Sequence, residues 1–261
     1  MPAADTPDEH RRLLEQLIPI AREAGQVILE VYAGDFEVRG KGDDSPVTEA
    51  DERAEAVITQ ALAALPPDVP VIAEESVAAD GLPEFGTRFW LVDPLDGTKE
   101  FISRNGEFTV NIALVENGLP SVGVVFAPAL DRLFAGAIGC GAFVEEGGQR
   151  RAIEARHPPA EGLTVVSSRS HDSPHAKADY LHGRAVAARM SVGSSLKLCL
   201  IAAGEADLYP RAGRTMEWDI AAGHAVLAAA GGKVLTMSGE PLRYGKTGLA
   251  NPPFIASGLP G

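Results

Sequence analysis

In Trp90-Leu91-Val92-Asp93-Pro94-Leu95-Asp96-Gly97-Thr98 an apolar run stops at an acid, a proline and a second acid. Residues 88–92 are predicted as a buried strand that delivers Asp93 at its C-terminal end. Pro94 has no N–H to give a ladder and is expected to end it, and Gly97 lets the chain turn sharply. Two aspartates three apart at such a junction can converge, and the turn also exposes the Leu95 carbonyl. Two carboxylates and a carbonyl are hard oxygen donors of the kind that hold Mg2+. The same residues would also serve an ordinary surface turn, in which Asp and Gly are common. Glu74-Glu75 weighs toward the metal, because it closes another buried-looking strand, Val71-Ile72-Ala73, in the same way. Asp219, opening a helix after Trp218, is a further candidate; alone it reads as a helix-start acid worth about 1 kcal/mol or less. If Glu74, Asp93, Asp96 and Asp219 converge, each pair of like charges about 4 Å apart costs about 4 kcal/mol at an effective dielectric of about 20. Such a cluster needs protons or cations. At neutral pH a divalent cation, its shell completed by substrate phosphate, is the better answer.

On the N-terminal side, residues 9–32 carry Leu13, Leu17, Ala21, Ala24, Ile28 and Val31 at three- and four-residue spacing. That predicts an amphipathic helix, which Pro19 should kink or split. A second helix is predicted from Thr48, with Ala54, Val57, Ile58, Ala61, Leu62 and Leu65 on one face and Pro66-Pro67 as its stop. Thr48 and Asp51 have the spacing of a capping box. Beyond the acidic turn, residues 109–116 and 121–127 flank Asn117-Gly118, a hairpin signal with one or two further turn residues. Residues 132–138 and 142–146 continue an antiparallel meander. The Pro- and charge-rich stretch around His157-Pro158-Pro159 divides the chain into an N-terminal α+β part, 1–157, and a C-terminal α/β part, 158–261. In the second part, strands are predicted at 163–167, 185–192 and 206–209, and helices at 173–181, 194–203 and 219–230. The class is mixed α and β.

The 261 residues include 23 Lys plus Arg against 36 Asp plus Glu, a formal net charge of −13. That field has the wrong sign for a nucleic-acid polymer. Hydrophobic residues at 45% and charged residues at 23% fit a folded globular protein and not a disordered one. No uncharged apolar run reaches the ~18 residues of a transmembrane segment. The opening residues, with Asp5, Asp8, Glu9 and His10, do not read as a signal peptide. Cys140 and Cys199 are too few for a disulfide framework, so a reduced, cytoplasmic setting is the expectation. If the substrate is an anion, a protein this acidic needs a local source of positive charge.

Phosphatases of the haloacid dehalogenase type also carry Asp, Gly and Thr after a strand, with the nucleophilic Asp two residues before the second. Here the spacing is three, with a proline between, which suits metal bridging better. Taken together, Glu74-Glu75-Ser76, Asp93-Pro94-Leu95-Asp96-Gly97-Thr98 and Trp218-Asp219-Ile220-Ala221-Ala222-Gly223 resemble the three signatures of the inositol monophosphatase superfamily. Asp96-Gly97-Thr98-Lys99-Glu100-Phe101, Arg104-Asn105-Gly106-Glu107-Phe108-Thr109 and Gly193-Ser194-Ser195-Leu196-Lys197 are similar to its bacterial 3′(2′),5′-bisphosphate nucleotidase branch. The resemblance extends from the first helix to Asn251-Pro252. It implies an α/β (α+β) chain folded as a layered αβαβα sandwich, the inositol monophosphatase / fructose-1,6-bisphosphatase (sugar phosphatase) fold. It also implies Mg2+-dependent, lithium-sensitive hydrolysis of the 3′-phosphate of 3′-phosphoadenosine 5′-phosphate, giving AMP and phosphate in a step linked to sulfur metabolism. Action on inositol monophosphate or fructose 1,6-bisphosphate at the same metal site is the alternative.

Carried over residue by residue, the resemblance implies that Glu74, Asp93, the Leu95 carbonyl, Asp96 and Asp219 hold two or three Mg2+ ions. Glu74, Thr98 and Asp51 would serve catalysis, Thr98 orienting the attacking water with Asp51 hydrogen-bonded behind it. Substrate would meet Leu95, Asp96, Gly97, Thr98 and Asp219 at the phosphate end, and His171, Ser194, Lys197 and Arg211 at the nucleotide end. Lys99 and Arg104 are further candidates for steering the anion, whereas Trp90 and Trp218 read as core packing. The implied partner is a small phosphorylated nucleotide. A homodimer and peripheral contact with the inner membrane are both compatible with the resemblance.

Overall fold

The structure is a computed structural model that describes residues 7–40, 46–65, 68–169, 181 and 183–260. The first helix, α1 (Pro7–Ala33), buries the predicted stripe of Leu13, Leu17, Ala21, Ala24, Ile28 and Val31. Pro19 does not split it. The residue lies on the exposed side, where water can reach the carbonyl its ring leaves unpaired, while Leu17, Ile18, Ile20 and Ala21 beside it are buried. Packing of that face outweighs a local cost of about 3 kcal/mol. A two-stranded ribbon, β1 (Arg39–Gly40) with β2 (Pro46–Val47), leads into α2 (Glu49–Ala63). Its capping box is complete: Thr48 Oγ1 accepts from Ala50 N at 3.2 Å, and Asp51 Oδ2 accepts from Thr48 N at 2.8 Å. The expected stop at Pro66-Pro67 lies outside the described residues.

A seven-stranded sheet follows in chain order: β3 (Val71–Ala73), β4 (Arg88–Asp96), β5 (Thr109–Glu116), β6 (Leu119–Ala127), β7 (Arg132–Ala137), β8 (Gly141–Glu146) and β9 (Gln149–Ile153). Only the β3–β4 pair is parallel. Short helices α3 (Glu74–Asp80) and α4 (Thr98–Ile102) begin where β3 and β4 end. Pro94 does not end the ladder as expected, because Asp96 pairs again with Thr109 beyond an irregularity between Asp93 and Asp96. The missing donor is absorbed in a bulge, the usual refuge of proline inside a sheet. The β5–β6 turn is Asn117-Gly118 alone, with φ of 53° and 77°, the two positive values of a type I′ hairpin.

The second half contributes β10 (Leu163–Ser168), β11 (Val186–Val192), α5 (Leu196–Ala202), β12 (Leu208–Arg211), β13 (Thr215–Met216), α6 (Glu217–Ala229), β14 (Lys233–Thr236), β15 (Ala250–Asn251) and β16 (Phe254–Ser257). Five of these strands form a second sheet in the order β11-β10-β12-β16-β14. α1 and α2 cover one face of the first sheet, around Leu17, Ile58, Trp90 and Val124. α5 and α6 fill the space between the sheets, around Leu91, Phe134, Leu198, Val226 and Phe254. α6 sits so close to β6 that a Cβ on Gly123 would stand 2.4 Å from the Ala222 carbonyl. On the far face of the second sheet, Leu163, Val165 and Leu208 pack with Leu181, Val186 and Ile255. The helix predicted at 173–181 falls outside the described residues except for Leu181. Both cysteines are free, and no helix among the described residues is long and apolar enough to cross a membrane.

Candidate active site

A cavity of about 360 Å³ opens where β3 and β4 end and α5 and α6 begin. The lining carries both signs: an acidic wall of Glu74, Asp96 and Asp219, with Gly97 and Thr98, and the basic groups of Lys197, Arg211 and Arg214, with Tyr209. Each acid is delivered by a local device. Gly97, at φ 93°, turns the chain out of β4 and leaves Asp96 and Thr98 beside each other at the start of α4. α6 begins at Glu217, two residues before the predicted start, which puts Asp219 in its first turn with Oδ2 accepting from Met216 N at 2.8 Å. Glu74 opens α3, and the start of that helix is bolted to α2: Glu55 accepts from Glu75 N and Ser76 N, both at 2.7 Å. Asp93 is buried beneath the wall, its Oδ1 accepting from Leu95 N at 3.1 Å.

Thr98 Oγ1 lies 3.3 Å from Asp51 Oδ1 and 3.4 Å from the Leu95 carbonyl, both acceptors. The other oxygen of Asp51 takes Thr48 N and Thr48 Oγ1, each at 2.8 Å, so the cap and the Thr98 contact are served by one buried carboxylate. Asn111, on β5, donates to Asp96 Oδ2 at 3.4 Å and to Ser195 Oγ at 3.1 Å, and Ser195 in turn donates to the Asp219 carbonyl. One chain of polar contacts thus joins Asp96 to the backbone of Asp219.

The charges in this wall act on one another. Burial pushes Asp96 up to about 6, against the pull of Lys197 and Asn111. Burial, followed by the neighbouring charges of Asp96 and Glu74, holds Asp219 well above the usual carboxylate range. Acids that hinder one another's ionisation in this way favour a bound cation, and an all-oxygen set suits a hard divalent one. No three His, Cys, Asp or Glu side chains among the described residues are gathered as a ready-made metal cluster. The raised carboxylates of Asp96 and Asp219, with Glu74 acting on both, are the donors such a cation would meet.

Among the basic groups of the lining, Lys197 is buried, not solvated as a helical lysine ordinarily is. Its Nζ donates to the Val192 carbonyl at 3.2 Å and to the Ser194 carbonyl, and it lies 5.5 Å from the Tyr209 ring centre. Burial lowers it to about 8, opposed by the Asp96 charge. Arg211 spends Nε and Nη2 on the carbonyls of Gly213 and Arg214 in its own loop, at 3.2 and 3.1 Å. Ser194 Oγ is buried in the cavity lining without a hydrogen-bond partner among the described residues. Lys99 lines the cavity, but Arg104 does not: its guanidinium donates to the Tyr32 and Gly34 carbonyls at the end of α1 and stacks on Tyr32 and Phe36. His171 lies outside the described residues. Trp90 and Trp218 are core residues.

Sequence reasoning missed Glu55, Asn111 and Arg214. Glu55 carried a signal, since it stands four residues from Asp51 on the buried stripe of α2. Asn111 sits within a strand buried in all but its last residue, where an amide needs a partner. Arg214 had none beyond its nearness to Arg211.

The sequence profile of the inositol monophosphatase family matches residues 9–258, and the chain belongs to that family. Within it, the chain is 48% identical over 250 residues to the 3′(2′),5′-bisphosphate nucleotidase CysQ of Escherichia coli K12, covering 94% of this chain and 99% of that one. The crystal structure of CysQ from Bacteroides thetaiotaomicron superposes with a TM-score of 0.80 at 38% identity, over 95% of this chain and 97% of the other. An inositol monophosphatase from Anabaena superposes at 0.74 with 28% identity, over 95% and 91%.

Proposed function

We propose that this chain is a metal-dependent 3′(2′),5′-bisphosphate nucleotidase that converts 3′-phosphoadenosine 5′-phosphate to AMP and phosphate. The observation that carries the reading is the two-signed cavity, lined by carboxylates and also by Lys197 and Arg211. A ligand bearing a phosphate at each end satisfies both sets of groups; a monophosphate leaves the cationic one unmet.

Glu74, Asp96, Asp219 and the Leu95 carbonyl, with Asp93 beneath them, are the residues that would hold two or three Mg2+ ions. When bound, the ions lower the pKa of water and offset charge on the leaving oxygen. The protein's own part is positioning and proton handling. With Oδ2 of Asp51 taken by two donors, Oδ1 receives the Thr98 hydroxyl proton. The lone pairs of Thr98 Oγ1 are thereby turned to accept from a water in the cavity, and Asp51 Oδ1 lies one step further along that proton path. At the other end, two N–H groups of Lys197 are held by carbonyls and the third is left for an anion. Ser194 Oγ supplies a hydroxyl for the sugar.

Purified protein with Mg2+ should release phosphate from 3′-phosphoadenosine 5′-phosphate at least about 100-fold more efficiently than from inositol 1-phosphate or fructose 1,6-bisphosphate. Chelation should abolish the activity and lithium should inhibit it. A preference for inositol 1-phosphate would sink the nucleotidase reading.

A further inference from the structure

Glu107 does not line the cavity, yet its backbone packs on two glycines that line or adjoin it, Gly97 and Gly193. Its carbonyl is 3.2 Å from where a Cβ on Gly97 would stand and 2.6 Å from the corresponding point on Gly193. Its carboxylate accepts from Arg169 Nε at 2.9 Å, from Arg169 Nη2 at 2.7 Å and from Gly193 N at 2.8 Å. Arg169 Nη2 also donates to the Ser191 carbonyl at 2.8 Å, and the N–H of Glu107 is fixed by Asn105 Oδ1 at 2.9 Å. One side chain therefore ties the ends of β10 and β11, in the second sheet, to the loop that enters β5 in the first. The segment it holds runs directly into Ser194 and Lys197. Ser194 has φ of 47°, an uncommon conformation for a non-glycine residue that persists where the surroundings over-determine it. Gly193 has no room for a side chain, since a Cβ there would also stand 2.8 Å from Glu100 Cγ.

We propose that Glu107, clamped by Arg169, is a positioning residue that holds the segment carrying Ser194 and Lys197 against the Gly97 turn, and hence sets the grip on a two-ended substrate. The inference rests on the two-signed reading of the site given above. A purely structural role is the competitor. The Arg169 side chain is 46% exposed, however, and ion pairs so placed contribute little to global stability. What the pair constrains is local: the height of the Ser191–Lys197 segment over the cavity.

The test compares E107A, E107Q, R169A and the double variant E107A/R169A with the parent, on 3′-phosphoadenosine 5′-phosphate and on p-nitrophenyl phosphate, which lacks the nucleotide end. In E107A and R169A the KM for the bisphosphate should rise about tenfold with kcat within about twofold, the pattern of lost binding and not of lost chemistry. Values for p-nitrophenyl phosphate should stay within about twofold, because only the acidic wall is engaged. The double variant should lose clearly less than the sum of the two single losses, since the Glu107–Arg169 contact is already gone in either. E107Q keeps an acceptor for Gly193 N and should fall between parent and E107A. An unshifted bisphosphate KM in R169A, additive losses, or equal losses on both substrates would overturn the proposal. Failure of the parent itself to hydrolyse the bisphosphate would sink the nucleotidase reading and the clamp with it, whereas an active parent with unshifted variants sinks the clamp alone.

Discussion

Asp219 carries a charge that its surroundings oppose. It is raised by burial and by Asp96 and Glu74, and its compensating contacts are the Met216 amide and the more distant Arg211. Asparagine keeps the shape and the hydrogen bond from Met216 N to a side-chain oxygen but removes the charge that a cation would meet. D219N should lower kcat by about 10³-fold or more. It should also be no less stable than the parent without metal, because repulsion with Asp96 is relieved. The parent's unfolding midpoint should rise with added Mg2+, as any ligand of the native state requires, and the rise should shrink in D219N. Retained activity, or an undiminished Mg2+ shift, would refute the metal assignment of this residue. The same scale shows where single residues mislead. Lys197 and Arg104 are both basic residues in the quoted motifs, yet one is buried beside the cavity and the other caps the end of α1. Nothing local in the sequence separates them.

Elements differ in how much of them could be read. α2, the Asn117-Gly118 hairpin and the turn after β4 depend on contacts within a few residues, and their signals stand in the sequence. β9 is exposed along most of its length, so it has no apolar alternation to reveal it, and Pro19 reads as a break because the packing that carries it through is tertiary. The acidic wall falls between: each acid was visible as a strand or helix terminus, but their meeting depends on how β3, β4 and α6 pack. α2 shows what holds the meeting together. Its buried stripe contains two acids, Asp51 and Glu55, among Ala50, Ala54, Ile58 and Leu62. Glu55 receives both amides at the start of α3 and the Ser76 hydroxyl. E55A strands these donors in a largely buried site and should cost about 2–3 kcal/mol in urea unfolding, while E55Q, which still accepts, should cost about half that. Since α3 carries Glu74, both should raise the Mg2+ concentration needed for half-maximal activity, E55A more. An E55A protein with unchanged stability and unchanged Mg2+ requirement would show that α3 is held by other means.

For the molecule as a whole, the net charge of −13 loses its apparent conflict with an anionic substrate. Some of the acids sit in ion pairs that fasten α1 to the first sheet, such as Arg150 with Glu15, Arg22 with Glu145 and Arg88 with Glu9. A few acids line the cavity, where a bound divalent cation would reverse the local sign. The division near His157 also takes on a physical meaning. We propose that it marks a change of sheet within one cooperative unit and not a border between two that fold alone. α6 belongs to the C-terminal part, yet it lies across β4 to β8 of the first sheet, and the apolar cluster between the sheets draws on Leu91, Val125 and Phe134 from one part and Leu198, Val226 and Phe254 from the other. Residues 1–157 alone would expose that whole face of the first sheet, an apolar area a soluble domain does not leave bare. The full chain should therefore unfold in a single transition that coincides by far-ultraviolet circular dichroism and by tryptophan fluorescence, with equal calorimetric and van't Hoff enthalpies. Trp90 lies in the cluster under α1 and α2, and Trp218 in the one between the sheets, so W90F and W218F proteins report the two regions separately. Their midpoints should each agree between the two probes. A fluorescence midpoint for one region well apart from the global one, or a folded, monodisperse 1–157 fragment, would establish two independent units.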